Sequence, residues 1–105
     1  MKIKLKNIEL ASAHNRLSQL STIGLPAKAS IMLDNILEEL NNKAIELKKH
    51  RLALVAEHGD KANTLLHNLW MEEIELTAEP IPIECLNDVS LTLVNARNLR
   101  KFVVI

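Results

Sequence analysis

Aromatic side chains are almost missing from this 105-residue chain: Trp70 and Phe102 are the only two, and there is no tyrosine. Single-stranded nucleic acids are held by stacking bases on aromatic platforms, so two isolated rings exclude a groove of that kind. Glycine is scarce as well, with Gly24 and Gly59 alone. Gly-rich phosphate loops and Gly-x-Ser-x-Gly nucleophile turns need more than that, and neither is present. The single cysteine, Cys85, rules out an internal disulfide and fits a reducing compartment. It reads as a small apolar side chain, with no neighbour in sequence placed to lower its thiol pKa. Thirteen basic and thirteen acidic residues cancel. That balance removes the global field that would draw the chain to DNA or to an anionic membrane. The basic start Met1-Lys2-Ile3-Lys4-Leu5-Lys6 has no apolar run behind it, so neither a signal peptide nor a membrane anchor is expected.

What remains is aliphatic. Hydrophobic residues make up 48% of the chain and are mostly Leu, Ile, Ala and Val, a composition suited to packed helices around one core in a single domain over residues 1–105. The dominant feature is residues 27–58, 32 positions without Gly or Pro, set up by Gly24-Leu25-Pro26 and ended by Gly59. As a helix it runs on the order of 50 Å, longer than a compact chain of this size requires. Leu33, Leu37, Leu40, Ala44, Leu47, Arg51 and Leu54 alternate at spacings of four and three, a heptad seam. A second set, Ile31, Ile36, Ile45, Leu52 and Val55, widens the apolar surface beyond one neighbour. Glu39 and Lys43 are spaced as an i, i+4 ion pair.

Around that helix the pattern predicts shorter pieces. Lys2 to Lys6 alternates at period two as an edge strand with Ile3 and Leu5 inward. Asn7 is the expected N-cap of a helix near 8–22 through Leu10, Ala13, Leu17 and Leu20, with Gly24 in a left-handed position after it. Asp60 is the expected cap of a helix near 60–77 that folds back antiparallel through Ala62, Leu65, Leu66, Leu69 and Ile74, with Trp70 filling the core. Pro80 and Pro82 forbid helix, and Ile81, Ile83 and Cys85 alternate as an edge strand. Five carboxylates between Glu72 and Glu84 make pairing with the N-terminal lysines favourable. Ser90 caps a last helix over 91–100, and the apolar tail Phe102-Val103-Val104-Ile105 completes the core or seals an interface. The expected fold is mainly α: an antiparallel helical hairpin with a long central helix, an N-terminal helix, and short strands near the termini.

No constellation of catalytic residues emerges. His14, His50, His58 and His67 lack the spacing of a metal site, so no metal and no cofactor are assigned. The acidic pairs Glu38-Glu39 and Glu72-Glu73 point about 100° apart on a helix rather than into one cleft. The chain reads as a non-enzyme. Lys43, Lys48, Lys49 and Arg51, with His50, form the candidate anionic-ligand surface near a helix C-terminus. Arg97, Arg100 and Lys101 form a second basic group beside the apolar tail. The candidate interface residues are Leu33, Leu37, Leu40, Leu47, Leu54, Phe102 and Val104.

Leu25-Pro26-Ala27-Lys28-Ala29-Ser30 opening a long charged helix, then an acidic second helix, an Ile-rich strand and a closing Ser90-Leu91-Thr92-Leu93 to Phe102-Val103 segment, resembles a group of small proteins encoded by tailed bacteriophages and prophages. The chain departs from that pattern in a shorter helix connection and in Leu93 where a proline is usual. The resemblance implies a phage-encoded protein of the host bacterial cytoplasm and carries no catalytic residues. The reading drawn from the apolar helix is a homo-oligomeric interaction or assembly protein, partnered with itself and with a phage structural or host protein. Alternatives of another class are an anti-defence module that sequesters a small nucleotide in a basic pocket between subunits, and an inhibitor of a host protein.

Overall fold

A computed structural model of the chain describes residues 2–87 and 89–104. Helix α2, Ala27–His58, is the spine of the molecule. Its 32 residues account for nearly all of the 52 Å long axis, against 25 and 21 Å across. The radius of gyration is 15.9 Å, where a compact chain of this length has about 13 Å. Elongation therefore follows directly from an uninterrupted helix that a small core cannot fold around.

Two shorter helices lie along α2. Helix α1, Leu10–Ser18, is extended at both ends by single 3₁₀ turns, Asn7–Glu9 and Gln19–Thr22, so the helical stretch matches the expected 8–22. Helix α3, Ala62–Met71, follows a 3₁₀ turn at Gly59–Lys61 and runs back along α2, as expected of a hairpin. The fold-back is fixed further on, where the Glu39 carboxylate in the middle of α2 accepts the backbone N–H groups of Thr77 and Ala78, each at 2.7 Å. Glu39 thus clasps the returning chain, and Lys43 acts on it as a nearby charge and not as a close ion pair.

Helix α3 ends earlier than the apolar spacing suggests. Ile74 lies on strand β2, Glu73–Glu75, antiparallel to β1, Lys4–Lys6, with Lys4 opposite Glu75 and Lys6 opposite Glu73. The N-terminal lysines thus pair in register with the stretch after α3 and not with Ile81–Ile83. Strand β3, Ile81–Pro82, instead pairs in parallel with β4, Val103–Val104. After Pro82 the chain turns into 3₁₀ helix, Ile83–Leu86, so Ile83 is exposed and the period-two alternation through Cys85 breaks. Helix α4 is Leu93–Leu99, capped by Thr92 rather than Ser90: the Thr92 hydroxyl oxygen accepts the Asn95 N–H at 3.2 Å.

The core gathers at one end of α2. Ala29, Leu33, Ile36 and Leu40 are its buried residues, and they meet Ile3, Leu5, Leu10, Leu17, Leu20, Leu76, Ile81, Leu86, Leu99 and Phe102. Beyond Leu40 no residue of α2 is fully buried. Ala44, Leu47, Arg51 and Leu54 continue the seam half-exposed beneath α3, whose Ala62 and Leu69 are buried while Leu65 faces solvent. Trp70 is half-buried, lining a small cavity with Ala44, Leu47 and Arg51 rather than filling the centre. The tail completes the core through Phe102 and β4, and Ile105 lies outside the described residues.

Candidate functional site

Candidate interface residues divide sharply by burial. Leu33, Leu40 and Phe102 are 5%, 0% and 3% exposed, enclosed by side chains of the same chain. In the single chain a second molecule reaches them only by opening the core. Leu37, Leu47, Leu54 and Val104 are half-buried, and Leu37 and Leu47 pack against the same core. The four basic residues are not gathered into one site either. At about 100° per residue, Lys43, Lys48, Lys49 and Arg51 leave the helix in four directions; only Lys48 and Arg51 share a cavity, of about 180 Å³, with Trp70.

The second apolar set is the one that stays in water. Ile36 joins the core, but Ile31, Ile45, Leu52 and Val55 are 62%, 48%, 54% and 46% exposed. With Asp34, Glu38, Asn41 and Lys48 they form one uninterrupted row along the outer face of α2, at spacings 3, 4, 3, 4, 3, 4, 3, and every member is exposed. That spacing is a heptad seam with no helix against it. The row runs about 36 Å and turns away from α1 and α3 except at Lys48, which lines a cavity with Ile8, Ala11 and Trp70.

Its charge order is directional. Asp34 and Glu38 occupy the N-terminal half and Lys48 the C-terminal half, with isoleucine at one end and valine at the other. The positions of the row are symmetrical about residue 43: Ile31 mirrors Val55, Asp34 mirrors Leu52, Glu38 mirrors Lys48, and Asn41 mirrors Ile45. The sequence marks Ile31, Ile45, Leu52 and Val55 as a second apolar set but not the complete row. Three of its eight positions are charged, and a search for apolar repeats passes over them.

Elsewhere, His50 and His67 border one shallow hollow with Glu72. No group of three His, Cys, Asp or Glu side chains among the described residues is arranged to hold a metal ion. No helix among the described residues is long and apolar enough to cross a membrane. Cys85 is a free thiol, half-buried against the core. Comparison with known proteins returns no match: no protein family, no curated protein and no solved structure is similar to this chain.

Proposed function

We propose that the protein is a non-enzymatic interaction and assembly protein that works as a homo-oligomer, its elementary contact being α2 against α2 of a second copy in antiparallel register. The observation that carries this reading is the exposed 3-4 row from Ile31 to Val55. In a two-fold contact, residue i meets residue j twice, so a self-complementary row is what the symmetry requires. An antiparallel pair centred on residue 43 sets Glu38 of each copy beside Lys48 of the other and Asp34 opposite Leu52. Ile31 then covers Val55, and Asn41 packs beside Ile45. A parallel pair sets Glu38 against Glu38 and Lys48 against Lys48, which disfavours it.

Residues at the core end and at the hairpin tip lie off this contact and are free to engage a third protein. In keeping with the resemblance to small phage proteins, the setting proposed is the cytoplasm of an infected bacterium, with a phage structural protein or a host protein as the further partner. The test is the mass in solution. Sedimentation equilibrium at tens of micromolar is expected to give twice the 11.8 kDa chain mass or a multiple of it; a strict monomer removes the reading.

A further inference from the structure

The groove between the first and last helices holds positive charge that the described residues answer only in part. Glu9, Ser12, Ala13 and Arg16 fall at i, i+3, i+4 and i+7, one face of the first helical stretch. Arg97, Arg100 and Lys101 fall at i, i+3 and i+4 on the last one, and the two stretches together enclose a cavity of about 450 Å³. Its floor is apolar and includes Leu5 and Phe102, both buried. Glu9 answers one of the four cations: its carboxylate accepts from Lys101 Nζ and from the Lys6 backbone N–H. Arg16, Arg97 and Arg100 have no carboxylate partner among the described residues.

Three guanidinium groups without a carboxylate partner among the described residues line one concavity. Like charges repel, and a low-dielectric floor focuses their field into the cavity instead of letting water disperse it. An anion in the cavity removes that penalty. Guanidinium groups present planar, forked N–H donors matched to phosphate oxygens. The volume lies in the range of small-molecule sites. Ser12 and Asn98 at the rim offer neutral hydrogen-bonding groups suited to hydroxyls.

We infer that this groove binds a phosphate-bearing small molecule of nucleotide size, with the phosphate on Arg16, Arg97 and Arg100 and the apolar part over Leu5 and Phe102. A nucleic-acid strand is disfavoured, because the basic side chains border one hollow and do not extend as a track. The site lies within one chain, so it stands or falls separately from self-association.

Isothermal titration of the full chain with adenosine 5′-monophosphate, inorganic phosphate and adenosine tests it. The monophosphate is expected to bind at least tenfold more tightly than either fragment, and Arg97→Ala and Arg100→Ala are each expected to weaken it about tenfold. Both arginines are exposed, so the variants should keep the wild-type circular dichroism melt. No heat of binding up to about 1 mM, affinity unchanged in both variants, or equal affinity for inorganic phosphate each overturns the inference.

Discussion

The side-chain amide of Asn7 donates a 2.8 Å hydrogen bond to the carbonyl oxygen of Leu69, joining the start of the first helical stretch to the end of α3. The backbone repeats the link, with the Asn7 N–H donating to the Glu72 carbonyl at 3.0 Å. Asn7 is the one buried polar residue among those described. Its role is to butt α1 against α3, so that two short helices act as one continuous partner for α2.

That joint makes Asn7 sensitive in a particular order. Asn7→Ala removes a buried donor and is expected to lower stability by about 1–2 kcal/mol. Asn7→Asp keeps the shape but turns an acceptor-only carboxylate towards the Leu69 carbonyl, so at neutral pH it should be worse than alanine. Urea melts at pH 7 and pH 4 check this: the aspartate variant should recover relative to alanine as the carboxyl protonates. An aspartate variant as stable as wild type at pH 7 would show that the bond does not hold the joint.

Glu39 gives the fold an acid-sensitive clasp. Burial raises the pKa of its carboxyl, but the N–H groups of Thr77 and Ala78 outweigh that, and the net position is below the ordinary value of 4.5. Glu9 is lowered too, chiefly by Lys101 and then by the Lys6 N–H. A carboxyl held lower in the folded chain than in the unfolded one stabilises above its unfolded pKa, and that contribution is lost as pH falls through the folded value. Glu39→Gln retains one acceptor and turns its NH₂ towards the other N–H, so a loss of about 1–2 kcal/mol is expected at pH 7. Thermal melts from pH 7 to pH 3 should show the gap between Glu39→Gln and wild type closing below pH 4.5; a gap independent of pH would mean the carboxylate charge contributes nothing.

These two side chains also show why the sequence disclosed the frame but not its fastenings. Apolar periodicity marks α1, α2 and the hairpin, because burial along a helix repeats in sequence. Asn7 looks like a helix cap by position, and Glu39 looks like half of an i, i+4 pair. In each case a residue far along the chain offers backbone groups that local spacing cannot reveal. Ile74 shows the same limit: its spacing fits α3, yet backbone pairing of Glu73–Glu75 with Lys4–Lys6 places it in a strand opposite Leu5. The basic groove needs Arg16 beside Arg97 and Arg100, which only the packing of the first helical stretch on the last supplies.

The two glycines should behave oppositely. Gly59 closes α2 at φ 57° and ψ −129°, backbone that L side chains rarely adopt. A Cβ there meets nothing within 4 Å, so Gly59→Ala isolates backbone strain, with an expected loss of about 1–2 kcal/mol. Gly24 has no positive φ, contrary to the left-handed position expected of it, and is equally open. Gly24→Ala is therefore expected to be neutral or to stabilise by about 0.4–1 kcal/mol through a less flexible unfolded chain. Chemical melts of the pair check the contrast, and a Gly24 variant that loses as much as the Gly59 variant would contradict it.

The charge order of the outer row allows the proposed dimer to be tested by exchange. In the antiparallel register each Glu38 faces Lys48 of the other copy, so Glu38→Lys alone places lysine against lysine at two symmetrical points. Lys48→Glu alone does the same with carboxylates. Each is expected to weaken association roughly tenfold, while the double variant Glu38→Lys with Lys48→Glu restores both pairs and with them the wild-type dissociation constant. All of these side chains are exposed in the single chain, so the fold itself should be unaffected. Leu52→Glu goes further, setting a carboxylate beside Asp34 of the other copy, and should leave a monomer. Sedimentation velocity across a concentration series reads all four variants. Failure of the double exchange to recover association, with Leu52→Glu still monomeric, would keep the outer face as the contact but rule out the register centred on residue 43.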